Sequence, residues 1–289
     1  MQKFKKIMEF LALKNTFDFY NLKVIETPTS IEIWEYLDKP VVFRKEKNNK
    51  LEIDKISDEF LEKNDKKNNK KNETLEHYNS LKRKQKHYES MRWEIARIVD
   101  CNFDDKTKFM TLTFKENIKD ITYTNYEFEK FIKRLNFKLY KEKKQKLKYL
   151  AVWEKQKRGA IHYHIIFFDL PYIKNKELQE IWGHGYIKIN KVDVDSKDNR
   201  GRYVSKYFSK DLDYKEYKQK AFFKSQNLIL PKVEYLKKEE NGYLDFSNDN
   251  VVFTKTYTRQ CPHFDRSSIE NYLTFLDSEV RYTKIRKEN

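Results

Sequence analysis

Cysteine is nearly missing from this chain of 289 residues: Cys101 and Cys261 lie 160 positions apart, with no Cys-x-x-Cys spacing. That excludes a disulfide scaffold and argues against a zinc ribbon, so a reducing cytoplasm is the expected compartment. Glycine and proline are scarce too, five of each, where average usage would give roughly 12% together. With aromatics at 16%, a collagen-like, linker-like or wholly disordered chain is excluded. Long apolar runs are absent: no segment approaches the roughly 18 residues of a membrane span, and no signal-like apolar stretch follows Met1-Gln-Lys-Phe-Lys-Lys. Membrane partners are therefore not expected. Acidic residues are outnumbered, 45 against 61 Lys plus Arg, leaving a net charge of +16. Such an excess fits a polyanionic partner. Only 12 of the 61 are Arg, however, and abundant Lys, Asn and Ile is also what an AT-rich genome imposes on any surface.

What is present divides the chain into three parts. Residues 1–73 end in the polar run Leu61-Glu-Lys-Asn-Asp-Lys-Lys-Asn-Asn-Lys-Lys-Asn-Glu73, which reads as a linker or solvated loop. Ahead of it, Ile31-Glu-Ile-Trp-Glu-Tyr36 and the run from Pro40 suggest short strands in an extension of unassigned role. Residues 74–235 form the main domain, and 236–289 a second extension, with a strand over 251–257 and a helix opening at the capping box Ser267-Ser-Ile-Glu270. In that helix Ile269, Tyr272, Leu273 and Leu276 would share a face.

The main domain opens with a basic helix over 74–99, where Leu81, Tyr88, Met91, Ile95 and Ile98 form the apolar stripe. Lys82, Arg83, Lys84 and Lys86 crowd its first half, either as a solvated face or as phosphate contacts. Lys108-Phe-Met-Thr-Leu-Thr-Phe114 alternates as a strand, with Phe109, Thr111 and Thr113 on one face. Phe128, Phe131, Ile132, Leu135 and Leu139 mark a further helix, and residues 130–148 carry nine basic side chains and one acid. Lys133 and Arg134 there, with Arg158 beyond, are candidate nucleic-acid contacts. Residues 149–154 and 161–168 read as strands about a short loop at Gly159, followed by a strand over 185–192 and a helix from about Tyr203 to Leu212. This order lacks strict β/α alternation and predicts an antiparallel sheet with helices mainly on one face, an α+β fold.

His162 and His164 sit two apart on a strand, so both imidazoles leave the same face. With a loop over Gln156–Ala160, Glu154 falls opposite His162 on that face. Two imidazoles and a carboxylate with open positions make a catalytic-type metal site; a pair of packed or solvated histidines is the alternative. No His-Glu-x-x-His, P-loop or Gly-x-Gly-x-x-Gly occurs. In Gly201-Arg-Tyr-Val-Ser-Lys-Tyr-Phe-Ser-Lys-Asp211, Tyr203, Lys206, Tyr207 and Lys210 align as one polar helix stripe. A phenol, with a pKa of about 10, needs nearby positive charge and a polarised target to attack near neutral pH. Lys206 and Lys210 would supply the charge, and a metal the polarisation of a phosphodiester.

Three segments in order, Phe109–Phe114, Ile161–Phe168 with Glu154 upstream, and Tyr203–Lys210, resemble the motifs of the HUH endonucleases, in particular the rolling-circle replication initiators of small plasmids and single-stranded DNA phages. The resemblance covers about residues 74–235. It implies a five-stranded antiparallel sheet with flanking helices, His162, His164 and Glu154 as ligands of Mg²⁺ or Mn²⁺, and Tyr207 as nucleophile, with Tyr203 a second nucleophile or a supporting residue. The implied activity is origin-specific nicking and joining of single-stranded or hairpin DNA through a 5′-phosphotyrosine, with a host helicase and DNA polymerase as partners. A transposase or conjugative relaxase shares this chemistry, and a non-catalytic basic DNA-binding protein is the rival of another class.

Overall fold

The structure, a computed structural model, describes residues 17–44, 89–156, 158–192, 222–238, 244–247, 249–264 and 273–288. Among them the elements run in chain order β1 (Phe17–Tyr20), β2 (Leu22–Glu26), β3 (Ser30–Tyr36), β4 (Val41–Arg44), α1 (89–102), β5 (Lys108–Thr113), α2 (Ile121–Tyr140), β6 (Lys148–Lys155), β7 (Ile161–Phe168), α3 (Asn175–Trp182), β8 (Ile187–Lys191), β9 (Phe223–Lys224), β10 (Lys232–Leu236), β11 (Val251–Phe264) and β12 (Leu273–Arg286). The fold is α+β, with two compact units: residues 77–231, and the flanking segments 1–76 and 232–289 taken together. The polar run over 61–73 lies outside the described residues.

The central unit is built on a five-stranded antiparallel sheet of order β8-β5-β7-β6-β9. Strict alternation decides its two faces. Met110, Leu112, Ala151, Trp153, Ile161, Tyr163, Ile165 and Phe167 project to one side, where Phe128, Phe131, Ile132 and Leu135 of α2 and Leu178 and Trp182 of α3 meet them. Each large side chain buried there contributes about 1.5–3 kcal/mol of transfer free energy. Leu150, Val152, Ile166 and Phe168 project to the other side, where Ile95, Ile98 and Val99 of α1 cover them. Helices therefore flank both faces, against the expectation of one. The amphipathic stripe of α1 shows that it packs, but not on which side of the sheet.

Local signals set the helix ends. The Asp120 carboxylate caps α2 by accepting from the backbone N–H of Thr122 and Tyr123 at 2.8 and 3.2 Å. At the other end Lys141 adopts a left-handed conformation (φ 56°), so the basic stretch expected to stay helical to 148 leaves the helix after Tyr140. Buried Asn136 holds that exit, donating to the carbonyls of Glu142 and Lys144 and accepting from the N–H groups of Lys146 and Leu147. Helix α3, unforeseen in the sequence, ends at Gly183 (φ 72°). Gly185 follows because a Cβ there would lie 2.4 Å from the Thr113 carbonyl oxygen; the close approach lets Lys115 N–H reach His184 O at 2.8 Å.

The second unit corrects the reading of two separate extensions. Its five-stranded sheet has the order β10-β2-β3-β12-β11, so strands from both ends of the chain interleave, with β1 and β4 pairing beside it. The helix expected from Ser267 is also corrected. Residues 273–286 form β12, paired on both sides, with β3 and with β11; residues 265–272 are outside the described set. The ladders on either side override a local helical stripe of four residues.

Candidate metal centre and its surroundings

The hairpin β6–β7 builds the site. Its loop closes as the spacing required, with Gln156 N–H bonded to Ala160 O at 2.8 Å and Gly159 N–H to Gln156 O at 2.7 Å. Gly159 is at φ 86°, a turn conformation that costs a side-chain-bearing residue strain. The register then pairs Glu154 with His162, and Thr111 of β5 with His164. Both histidines and the glutamate share the sheet face of α1, while Ile161, Tyr163 and Ile165 point into the opposite core.

Nε2 of His162 and Nε2 of His164 both face Oε1 of Glu154, the latter at 2.8 Å. The imidazole centroids are 4.8 Å apart, with planes inclined at 60°. All three ligand atoms lie within 4.8 Å of one another, the single such cluster among the described residues. The side chains are 11%, 12% and 19% exposed, so the centre is shielded yet reachable. Burial alone would raise the Glu154 carboxyl, but hydrogen bonds from both imidazoles outweigh it and hold the group well below the ordinary carboxylate range. An ionised carboxylate and two imidazole nitrogens aimed at one point suit a divalent cation that accepts N and O ligands.

Neighbours orient the ligands. Thr111 Oγ1 lies 3.1 Å from Nδ1 of His164, and Gln156 Nε2 3.4 Å from Nδ1 of His162. Phe109 stacks on His164 with centroids 5.5 Å apart and planes 22° from parallel. A hydroxyl both donates and accepts, so Thr111 can serve His164 whether Nε2 carries the proton toward Glu154 or its lone pair toward a cation. Exposed Lys188 of β8 stands opposite Thr111 on the same face. Thr111, Gln156 and Lys188 were not singled out from the sequence; only the strand order brings β5 and β8 beside β7.

The remaining candidates separate into two groups. Lys133 and Arg134 are exposed on α2, away from the histidine face. Arg158 donates through Nε to Gln156 Oε1 at 3.0 Å and through its guanidinium to Phe114 O at 3.2 Å, which ties the hairpin loop to the end of β5. Lys82, Arg83, Lys84, Tyr203, Lys206, Tyr207 and Lys210 lie outside the described residues. A second acid–imidazole pair, His184 with Glu127 at 2.9 Å, sits on the α2 side between Trp182 and Phe114. Lys130 also reaches Glu127, at 3.0 Å. With one imidazole and one carboxylate it fastens the turn before β8 and lacks a third ligand.

An antiparallel sheet bearing two histidines and a glutamate on adjacent strands defines a candidate metal-assisted site, and comparison with known proteins gives it a context. Residues 107–212 match a family described as Replication-associated protein, of the ORF2 type. An Escherichia coli protein described as "Phasyl DNA replicon protein arp" is 26% identical over 149 residues, 43% of this chain and 50% of that protein. The match thus spans about half the length of that curated relative. No solved structure matches the chain. Both matches are to replication proteins and support a replication-initiator family for this chain. Among the described residues no helix is long and apolar enough to cross a membrane.

Proposed function

We propose that this protein starts and ends rolling-circle replication by nicking and rejoining one DNA strand at an origin, in the manner of HUH endonucleases. The observation that carries the reading is the convergence of His162, His164 and Glu154 on one point of the sheet, in a segment matched to replication-associated proteins. His162, His164 and Glu154 would hold Mg²⁺ or Mn²⁺; imidazole ligands favour Mn²⁺ in affinity, and cellular abundance favours Mg²⁺. Bound there, the cation would polarise a phosphodiester for attack.

The phenol oxygen of Tyr207 attacks phosphorus, its proton leaving to solvent, while Lys206 and Lys210 stabilise the phenolate. The P–O3′ bond breaks, and the departing oxygen takes a proton to become the 3′-hydroxyl that a host polymerase extends behind a host helicase. The phosphotyrosine ester conserves the bond energy, so the later joining step, in which the 3′-hydroxyl displaces the phenol, needs no ATP. Tyr203, one helical turn from Tyr207, is placed in sequence to serve as a second nucleophile.

The test is incubation of 5′- and 3′-labelled single-stranded origin DNA with the protein and Mn²⁺, followed by denaturing electrophoresis and mass spectrometry of the linked peptide. A denaturation-resistant adduct on the 5′ end of the cut, mapped to Tyr207 and lost in His162→Ala/His164→Ala, is expected. An adduct at neither tyrosine, or undiminished nicking by the double histidine variant, overturns the reading.

A further inference from the structure

We infer that one face of the sheet formed by the terminal segments is a platform for single-stranded DNA, separate from the histidine–glutamate centre. Residues directly opposite on neighbouring strands share a face. The register places Tyr235, Lys23, Trp34, Tyr282 and Lys255 in one unbroken row across β10, β2, β3, β12 and β11. The next row on that face sets Lys284 opposite Phe253. Each of the four rings thus has a lysine directly across from it. Trp34 and Tyr282 are 4.9 Å apart between centroids, and Tyr282 and Phe253 are 6.0 Å apart. The Lys23 ammonium lies 5.4 Å from the Trp34 ring and 5.5 Å from the Tyr235 ring.

Two features distinguish this row from ordinary sheet packing. The opposite face is where Leu22, Ile33 and Ile285 meet Leu244 and Phe246, and on the ring face the buried cluster gathers at one end, where Tyr36 and Val280 meet Tyr20 and Val41. Beyond that end, Trp34, Tyr235 and Tyr282 keep part of their surface accessible, Phe253 is 50% exposed and Lys255 is exposed. The acid in these rows, Glu32, is buried and accepts the Tyr282 hydroxyl at 3.1 Å, so its charge is turned inward while three lysines remain on the face.

Flat rings alternating with ammonium groups match a partner that offers flat rings and regularly spaced negative charge together. Single-stranded DNA does so: bases stack on aromatic faces while lysines meet the phosphates. A duplex hides its base faces, and an acidic peptide supplies charge without the rings. The platform does not rest on the nicking chemistry, because none of its residues belongs to the metal cluster.

The experiment uses the full chain in EDTA, which silences any metal-dependent cutting, with a fluorescent 20-nucleotide oligo(dT) followed by anisotropy. Photo-cross-linked peptides are mapped in parallel. Cross-links to Trp34, Tyr235, Phe253 or Tyr282 are expected. Phe253→Thr, which keeps strand propensity at an exposed site, and Tyr282→Leu should each weaken binding about five-fold or more. Lys23→Gln/Lys255→Gln/Lys284→Gln should lower the log–log salt slope by about two, at roughly 0.7 for each phosphate no longer neutralised. Cross-links confined to residues 77–231, unchanged affinity in all these variants, or duplex DNA competing as well as single strands would each overturn the proposal.

Discussion

Thr111 carries an argument that no count of metal ligands would reveal. Its hydroxyl is the polar group on Nδ1 of His164, so it fixes which imidazole nitrogen faces Glu154. Thr111→Val preserves the branched shape and removes only that partner. Partners of this kind typically contribute 10- to 100-fold in metal affinity, so Mn²⁺ binding measured calorimetrically should weaken by about that much while the melting temperature changes little. Affinity equal to the parent's would show that packing against Phe109 alone orients the ring. His162, His164 and Glu154 were legible in the sequence because period two and a hairpin centre are local rules. Thr111 and Lys188 were not, since their nearness depends on β5 lying between β7 and β8, a non-local pairing.

Elements show the same division between local and distant causes. The sheet strands around the site were readable from alternation, and the hairpin at Gly159 from its loop. The length of α2 was not, because its end is set by Asn136, which uses two donor and two acceptor positions to wrap residues 142–147 back toward β6. Asn136→Asp keeps size and both acceptors but turns the donor side into an oxygen facing the carbonyls of Glu142 and Lys144. Two buried carbonyls lose their partner and meet like charge, a cost of about 3 kcal/mol at the usual penalty for unsatisfied buried groups. Urea denaturation should show a lowered midpoint with an unchanged slope; a midpoint equal to the parent's would mean that the loop re-forms without this side chain. The segment after Ser267 misled for the complementary reason: its helical stripe is real in sequence, but β3 and β11 offer Leu273–Arg286 a ladder on each side.

At the scale of the whole molecule, the two units differ in how the chain closes them. The central sheet is contiguous in sequence, and hairpin β6–β7 forms its middle. The terminal sheet requires β12 to find β3 across nearly the whole chain, a separation that the Ser278 hydroxyl spans in donating to Asp38, 240 residues away. Such closure costs entropy that grows slowly with length, and pairing at this range is slow to form. The unit should therefore be a cooperative body that can be lost by itself. Val280, fully buried at the middle of β12, is the place to test this in the full-length chain. Val280→Asp buries an unpaired carboxylate, a defect of the class that destabilises by more than about 4 kcal/mol. Hydrogen exchange followed by mass spectrometry should then show β2, β3, β11 and β12 losing protection while α2, β5, β6 and β7 keep theirs, and Mn²⁺ binding at His162, His164 and Glu154 should survive. Loss of protection across both units together would show that they fold as one, and that the discontinuous sheet stabilises the metal centre.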